Sequence, residues 1–209
     1  SFSVLPAKHY KFMIILSPVG SYYAANDGGL TTTRIYVQDE YIRAARGGTG
    51  FAKCGGNYGG AMRASLDAMK YDCKDVLWLD AAENKYVEEI GPSNAFFRIA
   101  DEVITAPLTS GTILPGITRN SVIQLLQKWG VKISESKLSI QDIEAAAKNG
   151  SLQEIFASGT AAVISPIGWL NYNGEEIQVA DGKVGPVAQK LYDNLYGMQT
   201  GSVPDTMGW

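Results

Sequence analysis

The stretch GGTGFAKCGGNYGG, residues 47–60, sets seven glycines around one lysine, Lys53, and one tyrosine, Tyr58. Glycine loses more backbone freedom on folding than any other residue, so such a cluster marks tight turns or close approach of backbone to another group. Two phosphate-loop patterns fail here. A Walker-type loop needs glycine before the lysine and serine or threonine after it, but Ala52 and Cys54 hold those places. The dinucleotide fingerprint fails because Lys53 stands where its third glycine belongs. Two readings remain: a solvated loop charge, or an amine positioned to attack a carbonyl. A free lysine titrates near ~10.4, so neutrality at pH 7 requires a shift of roughly 3 units, about 4 kcal/mol. Burial between Phe51 and Ala52 is expected to supply much of that.

Outward from the glycines, VQDEYIRAAR reads as a short helix running in. Ala61, Ser65, Ala68 and Met69 suit one face of a helix from about Gly59 to Tyr71. DVLWLD and YVEEIG read as a hairpin about a turn at Ala81–Lys85, followed by strands in NAFFRIA and EVITAP. Val122, Leu125, Leu126 and Trp129 have helical spacing, with Thr118 near the start and Gly130 as the stop. Ser139 with Asp142, and Ser151 with Glu154, each read as a capping box opening a helix. GTAAVISPIG reads as a strand and a bend, and LNYNGEEIQV as a hairpin turning at Asn173-Gly174. Gly185-Pro186 opens a last helix, with Val187, Leu191, Leu195 and Met198 facing inward. Upstream, Lys11–Ser17 reads as a buried strand, and residues 20–33 as a loop rich in small polar residues. Strands and helices mix without regular alternation, which favours an α+β fold or an irregular barrel over a doubly wound sheet.

The 209 residues are 45% hydrophobic and 19% charged, with net charge -3, as expected for a globular chain with a substantial core. No basic run interleaved with aromatics points to nucleic acid. The apolar run near the N-terminus is too short to span a bilayer, and Pro18 interrupts any signal-peptide pattern. Cys54 and Cys73 form no CxxC pair and read as reduced thiols of a cytoplasmic protein. The single histidine, His9, makes a zinc site or a histidine-based triad a poor reading; it reads as a surface or packed residue.

Four blocks, KCGGNYGG, YVEEIGPSN, ILPGITRNSV and GSLQEIFASGTAAVISPIG, occur in order with suitable gaps. Together with the tail GPVAQKLYDNLYGMQTG and the closing Gly208-Trp209, they resemble the large C-terminal domain of branched-chain amino-acid aminotransferases, within the fold-type IV pyridoxal-phosphate enzymes. The resemblance covers nearly the whole chain. It implies an irregular barrel-like mixed sheet flanked by helices, with residues 31–209 as the cofactor-binding domain and 1–30 as the end of an interdomain region and a first strand.

The resemblance also implies roles. Lys53 becomes the Schiff-base lysine of pyridoxal 5'-phosphate, and Tyr58 the tyrosine that bonds the ring oxygen. Glu89 faces the pyridine nitrogen, where an ionised acid stabilises a protonated ring. Glu88, its strand neighbour, must point to the opposite face and is expected to be solvated. Ile117 and Thr118 sit at a helix start, where backbone N–H groups favour phosphate, and Thr160 adds a hydroxyl. Ala161 and Ala162 lend N–H groups to the substrate carboxylate and leave room for an aliphatic chain. Without the resemblance, Tyr58 reads as a packing tyrosine, Thr118 as a helix cap, and the two alanines as small residues in a buried strand.

The sequence departs from its relatives in places. Many carry Thr-Met where Pro92-Ser93 stand, so a hydroxyl near the substrate is lost unless Ser93 supplies it. Ala162 and Ser165 replace a redox Cys-x-x-Cys pair of the mammalian enzymes. Relatives also carry a smaller N-terminal domain that supplies a phosphate arginine and part of the aliphatic pocket; this chain, opening at Ser1, starts near that domain's end. The implied reaction is transamination of leucine, isoleucine and valine with 2-oxoglutarate, in a cytoplasmic homodimer, with the missing domain possible as a separate fragment. Three other readings stay open. They are a D-amino-acid transaminase or aminodeoxychorismate lyase of the same fold, a hydrolase using Ser1 as terminal nucleophile, and a non-catalytic fragment.

Overall fold

The computed structural model describes residues 5–18 and 29–209. The loop reading of residues 20–33 and the Ser1 nucleophile therefore fall largely or wholly outside the described residues. In chain order the elements are β1 (Thr33–Gln38), α1 (Gly56–Met69), β2 (Asp75–Leu79), β3 (Val87–Ile90), β4 (Ser93–Ile99) and β5 (Glu102–Thr105). There follow α2 (Ile117–Lys128), β6 (Lys132–Glu135), α3 (Ile140–Lys148), β7 (Leu152–Gly159), β8 (Val163–Tyr172), β9 (Glu175–Gln178) and α4 (Pro186–Thr200).

Six strands close on themselves in the order β1-β2-β3-β4-β7-β8 and back to β1. Closure works because β4 and β8 each divide one edge between two partners. The start of β4 pairs β3 through Glu89 with Asn94, while its later residues pair β5 through Phe96 with Thr105. Likewise β8 pairs β7 at Val163–Ile167 and β9 at Trp169–Tyr172. Pro166 is tolerated within β8 because the pairing with β1 begins only at Ile167. The result is the irregular, barrel-like mixed sheet expected from the sequence.

Alternation in the strands sorts the core. Ile35, Leu77, Ile90, Phe97, Ile155 and Ile167, one from each barrel strand, belong to one cluster with Ile140 and Ile143 of α3. The opposite face of β4 and β7, Phe96 stacked on Phe156 at 5.1 Å, lies under α2 and α4 with Leu125 and Leu191. Ala64 and Ala68 of α1 cover Val76 and Trp78 of β2. The capping box at Ser139 is present with both of its bonds.

Several expectations fail for identifiable reasons. Lys11–Ser17 forms no strand, and its side chains are exposed; an apolar run declares suitability for burial and not a partner. VQDEYIRAAR ends β1 instead of forming a helix, because the Gln38 side chain accepts the Glu40 and Tyr41 N–H groups and closes a turn. Ser151 and Glu154 open no helix. They lead into and lie on β7, and Glu154 instead caps α4, accepting from Val187 N at 3.1 Å and Ala188 N at 2.9 Å. Helix α1 starts at Gly56, earlier than expected, and Met69 stays exposed while Ala64 is buried.

Candidate active site

The loop between β1 and α1 carries Lys53 to the rim of a cavity of about 370 Å³, walled also by Tyr58, Glu89, Arg43, Trp78 and Leu114. Asn57 holds the loop in shape. Its amide donates to the carbonyls of Thr49 at 2.9 Å and Ala52 at 2.8 Å, and its Oδ1 accepts from the Thr49 hydroxyl at 2.7 Å. Gly50 is a true close approach: a Cβ there would collide with Thr112 and Ala44. The Lys53 amine lies 5.9 Å from the centre of the Tyr58 ring. Lys53 is exposed, and so is Phe51, so the expected burial between Phe51 and Ala52 does not occur.

Glu89 is 1% exposed, the deepest charge in the cavity wall. Its Oε1 accepts from Asn94 Nδ2 at 3.2 Å and from the Leu114 amide at 3.3 Å. Arg43 Nε stands 2.6 Å from its Oε2, an ion pair without a directed hydrogen bond. The other end of the guanidinium donates to the carbonyls of Gly50 and Thr112, so one side chain ties together the lysine loop, β3 and the approach to α2. Burial pushes the Glu89 carboxyl up to about 7; Arg43, the Leu114 amide and Lys53 pull against this, and Glu88 adds to it. Glu88 is not solvated as expected. It is buried, bonded to the Thr112 hydroxyl at 2.5 Å, because the segment before α2 folds over that face of β3.

The remaining sequence-derived residues, Ser93, Ile117, Thr118, Thr160, Ala161 and Ala162, are not in the cavity wall. Asn94 links the two places: besides holding Glu89 it donates to Leu114 O at 2.9 Å, and its side chain fills the space a Cβ would take at Gly116. Gly116 precedes α2, whose first turn, with Ile117 and Thr118, has no side-chain cap and no acidic residue. Ser93 stands against Gly159, where a Cβ would approach its Oγ to 2.8 Å. Thr160, Ala161 and Ala162 form the turn between β7 and β8, with Thr160 and Ala161 exposed and Ala162 half-buried. That turn ends at Val163 with φ 56, a conformation costly for a β-branched residue. Sequence reasoning missed Arg43, which it had placed on a helix, and Asp75, which also lines the cavity; Asn94 lay in a quoted motif without a role. Nothing in their local sequence marks the first two. Among the described residues no group of side chains is placed to hold a metal ion, and no helix is long and apolar enough to cross a membrane.

Residues 7–168 match the family model for amino-transferase class IV. Over 209 residues the chain is 47% identical to branched-chain-amino-acid transaminase 1 of Bacillus subtilis, covering 100% of this chain and 58% of that protein. It is 48% identical over 200 residues to branched-chain-amino-acid aminotransferase 2 of the same organism, covering 96% and 54%. The chain thus spans little more than half the length of these relatives. In three dimensions it resembles the Escherichia coli branched-chain amino acid aminotransferase, with a TM-score of 0.76 at 31% identity over 92% of this chain and 59% of that one. The T.th. branched-chain amino acid aminotransferase complexed with N-(5'-phosphopyridoxyl)-L-glutamate gives a TM-score of 0.72 at 27% identity, covering 85% and 55%. Its sequence over most of its length and its closed six-stranded fold agree: this chain belongs to the class IV aminotransferases, among relatives named for branched-chain amino acids.

Proposed function

We propose that this chain is the cofactor-binding part of a pyridoxal-phosphate-dependent transaminase acting on branched-chain L-amino acids, with 2-oxoglutarate and glutamate as the exchanging pair. The observation that carries this is the convergence of Lys53, Tyr58 and the Arg43–Glu89 pair on one cavity. The residues fit the cofactor. A buried acid suits a ring nitrogen that is to be held protonated, because Arg43, the Leu114 amide and Lys53 favour its ionised form, and a facing cationic ring would do so further against the cost of burial. The uncapped start of α2 offers N–H groups to a phosphate.

When bound, the cofactor supplies an electron-withdrawing ring that stabilises negative charge at the substrate α-carbon. Lys53 would hold its aldehyde carbon and act as general base and acid at the substrate α-carbon. Glu89, oriented by Arg43, Asn94 and Leu114, would fix the ring nitrogen, and Tyr58 the ring oxygen. Ile117, Thr118 and Thr160 would hold the phosphate. Ala161 and Ala162 would offer N–H groups to the substrate carboxylate, with Ser93 at its edge. Residues 31–209 form the large domain in this reading, and residues 1–30 the end of an interdomain region. It also takes the protein to be a cytoplasmic homodimer whose site is completed by a smaller N-terminal domain. The phosphopyridoxyl-glutamate ligand of the T.th. neighbour supports both the cofactor and the L-configuration.

The test is to mix the protein with pyridoxal phosphate and reduce with borohydride. A visible absorption band, fixed covalently at Lys53 and absent in Lys53→Ala, is the expected result. Persistence of the fixed adduct in that variant overturns the assignment. Amino transfer from L-leucine and not from D-alanine separates this reading from a D-amino-acid transaminase.

A further inference from the structure

Glu88 and Glu89 are neighbours on β3, so their side chains leave opposite faces of the strand. Both are nevertheless tied to one residue of the segment before α2. Glu88 Oε1 accepts from the Thr112 hydroxyl at 2.5 Å. Glu89 pairs with Arg43, whose Nη2 donates to the Thr112 carbonyl. The circuit from β3 through Glu88, Thr112, Arg43 and Glu89 back to β3 is closed. Thr112 is 4% exposed and is held from further sides. Its hydroxyl lies 2.6 Å from that of Ser110, and its amide donates to Ser110 Oγ at 3.3 Å. Its carbonyl fills the space a Cβ would take at Gly50, three residues before Lys53, and the same Arg43 nitrogen donates to Gly50 O at 3.0 Å.

Glu88 is a costly anchor. It is buried, its Oε2 has no hydrogen-bond partner, and the Thr112 hydroxyl is its one hydrogen bond among the described residues. Burial raises its pKa; the Thr112 hydroxyl and Arg43 oppose this, and Asp80 adds to it. A carboxyl so poorly satisfied works against stability. What it provides is a fixed seat for Thr112, and through the Thr112 carbonyl for the guanidinium that faces Glu89.

We propose that Thr112, fastened by Glu88, is a positioning residue: it seats Arg43 so that the Glu89 carboxylate is held in one orientation toward the cofactor's ring nitrogen. The inference rests on the transaminase reading above. Neither Thr112 nor Glu88 lines the cavity, so both act through Arg43. A hydrogen bond between two ionised groups depends strongly on alignment, and a carboxylate free to turn loses much of it.

The experiment measures binding of two probes to the whole protein: pyridoxal 5'-phosphate and its 1-deaza analogue, in which CH replaces the ring nitrogen. Only the first can bond Glu89 through that position, so the ratio of the two affinities reports how well the carboxylate is aimed. The wild-type protein is expected to favour pyridoxal phosphate. In Thr112→Val, which keeps the branched shape and loses the hydroxyl, that preference should fall about tenfold, and Glu88→Ala should do the same. Thr112→Ser, which restores the hydroxyl, should return the preference to within about twofold of wild type. The double variant Glu88→Ala/Thr112→Val should lose no more than either single one, because the two act as a unit. A merely structural role would weaken both probes alike; an unchanged ratio in Thr112→Val and Glu88→Ala overturns the proposal, as do additive losses in the double variant. Failure of the wild-type protein to bind either probe overturns the transaminase reading instead, and this inference with it.

Discussion

The guanidinium of Arg43 faces the carboxylate of Glu89 at 2.6 Å, between a loop and a strand separated by 46 positions in the chain. Both side chains are nearly closed to solvent, 10% and 2% exposed. Beyond each other, Arg43 is held by the carbonyls of Gly50 and Thr112, and Glu89 by the Asn94 side chain and the Leu114 amide.

Removing one partner of such a pair leaves the other buried and uncompensated. Arg43→Ala is expected to cost about 3–5 kcal/mol in urea unfolding. Arg43→Lys should recover only part of this, because an ammonium lacks the planar fork that spans three partners. Arg43 also lowers the Glu89 pKa, so in the surviving folded protein the carboxyl should titrate above its present value of about 7.

The pH dependence of stability follows from the same carboxyl. Its folded pKa, about 7, lies above the ordinary 4.5, so the folded state binds the proton more tightly than the unfolded one. The contribution is complete below pH 4.5, is lost as the pH rises, and is gone above about 7. The full difference is at most about 3 kcal/mol. Urea midpoints of the cofactor-free protein across this window should fall with rising pH, and Glu89→Gln should flatten that fall.

Asn57 separates positioning from stability. Its three bonds to Thr49 and Ala52 lie at the exposed end of the loop, so Asn57→Ala should lower stability by only about 1 kcal/mol. The loop they shape carries Lys53, and amino transfer should slow at least about tenfold as the amine loses its place. A normal rate in a folded variant would show that the loop keeps its form without this clamp.

Glu154 joins two structural duties. It accepts from Arg98 Nη1 at 2.8 Å and from the first amides of α4. Glu154→Ala should cost about 3 kcal/mol in chemical unfolding by leaving those amides and Arg98 unpaired. Gly185→Ala should mimic it, since a Cβ there would collide with the Glu154 side chain.

The sequence by itself determined the local elements and the chemistry-bearing block. The capping box at Ser139, the Asn173-Gly174 hairpin and the helix at Val122–Leu126 depend on contacts within a few residues, which the chain spells out directly. The motifs around Lys53, Tyr58 and Glu89 likewise carried the family. Tertiary structure alone decided the rest. Glu154 has the spacing of a cap for its own segment, yet caps a helix that begins more than thirty residues later. Glu88 alternates with Glu89 as a strand requires, but whether its face meets water depended on the segment around Thr112. Arg43 met Glu89 only when the barrel closed. Hydrogen bonds within a turn are fixed by spacing along the chain, whereas burial and pairing of charge are fixed by what a distant segment brings to the same place.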